Sequence, residues 1–180
     1  MKKIVVLLLL MCIIGCDNND DKPSTPKTEL EKLPLATQTG ANTAGCLVNG
    51  VAFLPKGFIP GVNPISYQDG LNFGLYIGER KNNIINSLGI TSLNKSLEEG
   101  IVVPLKIDLK DGSKTYAYGT YVDFTNETGD YITTNIIVGE LKITHHDFNN
   151  AILSGTFWFD AINSNGAIIE VREGRFDRHY

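Results

Sequence analysis

Cys46-Leu47-Val48-Asn49-Gly50-Val51-Ala52-Phe53 is the stretch that decides the fold class. Two runs of strand-forming residues flank Asn-Gly, the dipeptide that most readily takes positive φ at both centres of a type I′ turn, and that turn's twist suits a tight antiparallel hairpin. In the two-residue register Cys46 faces Phe53 and Val48 faces Val51, which predicts a buried thiol. Period-two alternation continues downstream. Leu71, Phe73, Leu75 and Ile77 point one way while Asn72, Gly74, Tyr76 and Gly78 point the other. Ile101, Val103, Leu105, Ile107 and Leu109 repeat the pattern before an Asp111-Gly112 turn. Tyr116, Tyr118, Thr120, Val122 and Phe124 make a further face, Ile137, Gly139, Leu141 and Ile143 another, and Phe157 with Phe159 the last. Residues 84–93 read as a weaker strand, and 96–99, closed by Gly100, as a helical turn. About nine or ten strands over about 140 residues predict one all-β, antiparallel domain spanning 41–180. A β-sandwich is expected, with a lipocalin-like barrel as the alternative. A domain of this size buries its own core without covalent staples.

The N-terminus follows a different logic. Lys2 and Lys3 precede residues 4–14, which carry no charge. This is the charged and apolar layout of a secretory signal, and it is shorter than the roughly 20 residues a spanning helix needs. Ile13-Ile14-Gly15-Cys16 resembles the bacterial lipobox, in which the cysteine is acylated and the chain is cut ahead of it. The expected organisation is therefore a lipoprotein signal at 1–15, a lipidated flexible linker at 16–40, and the β domain. One acyl chain holds weakly, at roughly 0.8 kcal/mol per buried methylene, and two or more hold stably. The lipobox implies a membrane partner through the Cys16 lipid and an outer-membrane address in the cell envelope.

The linker is polar and carries Pro23, Pro26 and Pro34, with too few large side chains to form a core. As a flexible chain it would span about 25 Å. Its acidic start, Asp17-Asn18-Asn19-Asp20-Asp21, has two readings: a hydrated spacer, or a run resembling the export tag of surface-displayed lipoproteins. With Lys2 and Lys3 removed, 14 of the 16 basic residues remain against 20 acidic ones. The processed chain is thus acidic by about six charges, without a basic patch, and nucleic acid is excluded as a partner. Of the three cysteines, Cys12 leaves with the signal and Cys16 takes the lipid, leaving Cys46 alone for packing rather than catalysis.

Three blocks together carry a family resemblance. They are Leu35-Ala36-Thr37-Gln38-Thr39-Gly40 running into Gly45-Cys46-Leu47-Val48-Asn49-Gly50, then Ser154-Gly155-Thr156-Phe157, then Glu173-Gly174-Arg175-Phe176-Asp177. With the lipobox they resemble an uncharacterised family of small lipoproteins from flavobacteria and related Bacteroidetes. The resemblance implies an extracytoplasmic all-β domain without an assigned activity, so no site residue is carried over. Read mechanically, Gly155 permits close packing or a bulge and Gly174 a turn or bulge.

The chemistry-bearing residues are few. His145-His146-Asp147 is the one cluster of metal-ligand type, but neighbours on a strand face opposite ways and zinc needs three or four ligands, so solvated histidines are the expectation. Asp108, Asp111 and Gly112 lack the spacing of a calcium loop. Asp160, Glu170, Glu173 and Asp177 alternate with Arg172, Arg175 and Arg178, which predicts cross-strand ion pairs on a wet face rather than the acid pair of a glycosidase. Trp158 alternates with Phe157 and Phe159 and so faces away from their side. If exposed, it would offer an aromatic platform for a sugar or a partner, with Tyr76 as a second contributor. The sequence carries no phosphate loop, serine elbow, Cys-x-x-Cys or HExxH. The expected function is a non-enzymatic binding or structural module of the envelope, contacting a glycan or an envelope protein, with no cofactor. The alternatives are a carrier of a small apolar ligand and an enzyme acting on polysaccharide or cell wall.

Overall fold

A computed structural model of the chain describes residues 26–56, 64–81, 84–107, 115–125 and 129–180. The signal, Cys16, the acidic run 17–21 and the Asp108, Asp111, Gly112 turn lie outside the described residues. Among the described residues eleven strands form: β1 (Thr43–Val48), β2 (Val51–Phe53), β3 (Ile65–Gln68), β4 (Asn72–Lys81), β5 (Ile84–Leu93), β6 (Val102–Leu105), β7 (Tyr116–Val122), β8 (Asp130–Ile132), β9 (Gly139–Asp147), β10 (Ile152–Ile162) and β11 (Ile168–His179). Every ladder between them is antiparallel. The order is β2-β1-β11-β10-β8-β7-β5-β4-β3, with β9 branching from β10 and β6 pairing β9.

The long strand β10 is where the sheet divides. From Ile152 to Phe159 it pairs β9, while Ile162 beyond pairs Ile132 of β8. The network folds back there so that β2-β1-β11-β10-β9-β6 faces β3-β4-β5-β7-β8. Aromatic rings bridge the two layers: Phe73 lies 5.9 Å from Phe176, and Phe53 lies 5.8 Å from Tyr121. The arrangement is a sandwich, not a closed barrel. Each layer contributes its alternate residues to the core, with Leu75, Ile77, Leu88 and Ile90 from one and Leu141, Ile143, Leu153 and Phe159 from the other.

The opening hairpin has the register read from its sequence, Cys46↔Phe53 and Val48↔Val51. Asn49 and Gly50 take φ of 48° and 78°, as a type I′ turn requires. Cys46 is fully buried.

Three expectations need correction. The Tyr116, Tyr118, Thr120 face of β7 points outward, and Ala117 and Gly119 occupy the inner row. The cause lies on β10: the Phe159 ring fills the space beside Gly119, where a Cβ would sit 2.7 Å from Phe159 Cδ1. Beside Phe159 only a very small residue fits, while Tyr121 further along the inner row packs against Phe53; the tyrosines at 116 and 118 are left to the solvent side. Second, residues 96–99 form no helical turn. Leu97 is instead buried, with its amide donating to the Tyr67 hydroxyl at 3.1 Å.

Third, the described part of the expected linker is docked rather than free. Thr28 and Glu31 exchange capping bonds around a 3-10 turn at Leu30–Lys32. Leu33 is buried, and Glu29 accepts from the Ala52 amide at 2.9 Å on β2. Residues 37–41 then lie across the sandwich as a strap. The composition of this stretch hid the docking, because it is secured by polar groups and one carboxylate rather than by apolar periodicity.

Candidate functional site

The carboxylate that secures the strap is Asp177. It is 1% exposed and accepts from Thr37 Oγ1 at 2.7 Å, Ser154 Oγ at 2.8 Å, and the amides of Thr39, Gly40 and Ala41 at 2.8–3.0 Å. Burial pushes its pKa up, but the bonds from Thr37, Ala41, Thr39 and Ser154 outweigh burial and hold the carboxyl well below the usual carboxylate range. Asp177 was expected on a wet face with the other acids; it is instead a buried hub. It joins the three blocks that carried the family resemblance, since the strap, Ser154 and Asp177 itself each come from one of them. Arg178 also departs from expectation, lying buried on the opposite side of β11.

Beside the strap, β11 carries an irregularity. Phe157 pairs Gly174, yet Phe159 pairs Val171, so Arg172 and Glu173 together oppose Trp158. This is a β-bulge, which bends and twists the strand locally. Glu173 takes a φ of 55°, a left-handed conformation that costs a residue with a Cβ about 1–3 kcal/mol. Gly174 is buried beneath the Phe157 ring, which leaves no room for a Cβ.

The bulge opens a groove of about 470 Å³ on the outer surface. Trp158 forms its aromatic wall at 39% exposure, and Thr156, Glu140 and the strap's Ala36 line it alongside. Arg172 and Arg175 supply its positive charge and Glu173 further negative charge. Arg172 lies 5.6 Å over the indole, donates to the carbonyls of Phe159 and Val171, and pairs Asp160 at 2.6 Å. Arg175 bonds the Glu173 carbonyl at 3.1 Å and its carboxylate at 3.2 Å. These contacts orient both guanidinium groups and the indole before any ligand arrives.

The alternation of acids and arginines therefore does give ion pairs on an exposed face, at Asp160, Glu170 and Glu173. Asp160 and Glu170, direct cross-strand partners, both engage Arg172. Tyr76 is not part of the groove. It sits on β4, in the facing layer, turned outward from that layer. Alternation puts Trp158 on the side of β10 away from Phe157 and Phe159 and leaves its exposure open, which in the structure is 39%; Gly174, read from the sequence as a turn or bulge, adjoins the bulge that faces Trp158.

The two histidines diverge. His145 Nδ1 lies 2.9 Å from Glu99. His146 stacks on Phe148, with Nδ1 at 2.5 Å from the Leu97 carbonyl and Nε2 at 3.0 Å from the Tyr180 hydroxyl. Both ring nitrogens of His146 are thus occupied, and among the described residues no group of three or more His, Cys, Asp or Glu side chains could hold a metal. The Cys46 thiol is pushed up to about 12 by burial, which makes it a packing group at neutral pH.

The profile of a family described as a domain of unknown function, DUF6252, matches residues 72–178. It covers β4 to β11 apart from the last residue, with Trp158, the bulge and Asp177 inside it, and begins after the strap and the opening hairpin. No curated protein matches the chain, and no solved structure does.

Proposed function

The chain belongs to the DUF6252 family, and from the groove and the lipobox we propose that it is a non-enzymatic binding module of the bacterial cell envelope, held to the outer membrane by a lipid on Cys16. The observation that carries the binding role is the groove at the β11 bulge, where an exposed indole is fixed between oriented charges of both signs. A half-exposed aromatic ring on a rigid strand offers contact area at small entropic cost, and the strained Glu173 backbone is the kind of feature that marks working sites. The mixed charge of Arg172, Arg175, Glu140 and Glu173 suits a ligand that itself carries amine and carboxylate groups, such as a cell-wall peptide stem. The lipobox at Ile13-Ile14-Gly15-Cys16 supports the envelope address, and the family resemblance supports a bacterial lipoprotein of the flavobacterial type.

Enzymatic readings find less support. Asp160, Glu170 and Glu173 pair with arginines and Asp177 with the strap, so none of these four acids is free to act in glycoside hydrolysis. Trp158 is the sole tryptophan of the chain, so its fluorescence reports on this groove alone. Titration of the full chain in detergent with soluble muropeptides should shift that emission saturably. A spectrum indifferent to muropeptides at millimolar concentration would overturn the binding role of the groove.

A further inference from the structure

We infer that the outer face of β4, β5 and β7 is a second binding surface, taking a neutral oligosaccharide. Three consecutive cross-strand rows build it. Tyr76 of β4 lies level with Gly89 and Thr120. The next row runs Ser66, Gly74, Thr91 and Tyr118. The third runs Asn72, Leu93 and Tyr116. Their inward neighbours, among them Phe73, Leu75, Leu88 and Ala117, are buried in the core, so the alternation turns all three rows to solvent.

Two properties define what this surface recognises. The first is relief. Gly74 and Gly89 keep the first two rows free of bulky side chains in their middle, small hydroxyls close the floor there, and Leu93 ends the trough at the third row. A Cβ on Gly89 would meet Thr120 Oγ1 at 2.8 Å, and one on Gly74 would meet Ser66 Oγ at 3.1 Å. Tyr76 stands on one side of this trough. On the other stand Tyr116 and Tyr118, their rings stacked 6.1 Å apart. With strands ~4.8 Å apart and a rise of ~3.4 Å per residue, Tyr76 and Tyr118 are separated by about 12 Å. A short chain of pyranose rings fits between them, stacking its C–H faces on the phenols while its hydroxyls meet Thr91 and Thr120.

The second property is charge. None of the three rows holds an acidic or basic residue; the charges at their margins are Arg80, two outward positions beyond Tyr76 on β4, and Lys106, whose amide donates to the Ala117 carbonyl between Tyr116 and Tyr118. In a chain with 20% charged residues this is a marked contrast to the Trp158 side, where Arg172, Arg175, Glu140 and Glu173 crowd one groove. Solvated sheet faces ordinarily carry charge for solubility. A face of tyrosines, hydroxyls and glycines matches a ligand that is neutral, hydroxylated and flat-sided. A charged polymer would find no counter-ion within the three rows, and Lys106 at their margin.

The test is affinity electrophoresis of the full chain in detergent through gels containing hydroxyethyl cellulose, xyloglucan, galactomannan or laminarin, with polygalacturonate as the charged control. At least one neutral polymer should retard the protein, and 0.5 M salt should leave the retardation unchanged. Tyr118→Ala and Tyr76→Ala should each weaken it by about tenfold or more, whereas Tyr118→Phe should retain it. Trp158→Ala should have no effect here, so this surface and the muropeptide groove fail or stand separately. Thermal melts of the tyrosine variants confirm that the sandwich survives. Retardation by none of the neutral polymers, or by polygalacturonate alone, would overturn the assignment. So would tyrosine variants that change only the sedimentation of the protein, since the face would then join two copies of the chain.

Discussion

Asp177 shows how one residue can carry more of a fold than its strand position suggests. Its carboxylate, itself 1% exposed, holds three consecutive backbone amides and two hydroxyls. Asp177→Ala would leave those donors unpaired, at about 1–3 kcal/mol each where they stay buried, and the strap would be expected to detach. We expect a loss of at least about 3 kcal/mol in urea unfolding, with residues 37–41 becoming protease-sensitive. Asp177→Asn should fall between the two, because one acceptor oxygen is kept. The acid response follows from the direction of the shift. A carboxyl whose folded pKa is depressed contributes stability fully above its unfolded value of about 3.9, and that contribution drains away as pH falls towards the folded value. Wild-type stability should therefore decline below about pH 4 more steeply than that of Asp177→Asn, as seen in urea midpoints measured between pH 2 and 7. Equal slopes would mean that the carboxylate is not the hub.

At the scale of elements, the inner rows of the two layers are matched in size, and this decides which way β7 faces. Phe159 of β10 projects into the place of a Gly119 side chain, so the apolar pattern of β7 in sequence points to the wrong face. Gly119→Ala should cost about 1–3 kcal/mol through overpacking, and Phe159→Ala about 3–5 kcal/mol through an unfilled cavity. Combining Gly119→Ala with Phe159→Leu should restore part of the loss. Thermal melts of these variants and of Phe159→Leu alone would decide, and strictly additive losses in the double variant would remove the pairing. The bulge in β11 is the corresponding device on the outer surface. Two residues set against one turn Arg172 and Glu173 around Trp158, and an ungapped ladder there would flatten the groove. The hairpin at Asn49-Gly50 was fully legible because the turn is local: two dihedral preferences specify both register and direction.

For the whole molecule, two opposite faces differ in chemistry, one charged and grooved, the other neutral and aromatic, on a sandwich whose strap runs back towards the expected membrane anchor. If Cys16 carries the lipid, Cys16→Ser should move the protein from the membrane to the soluble fraction, and mass spectrometry of the wild type should find diacylglycerol on the first residue of the mature chain. Protease treatment of intact cells, comparing wild type with a variant in which Asp17, Asp20 and Asp21 are alanine, separates outward display from a simple spacer. The sequence by itself determined the all-β class, the alternation of most strands, the first hairpin and the side of its strand that Trp158 takes, because each depends on neighbours within a few residues. It did not reveal the docked strap, the residues that the bulge sets against Trp158, the exposure of Trp158, the inward turn of Gly119 or the neutral tyrosine face. Those depend on which strands lie opposite one another: Asp177 meets Thr37 across 140 positions of chain, and only tertiary packing brings such distant polar groups within bonding distance.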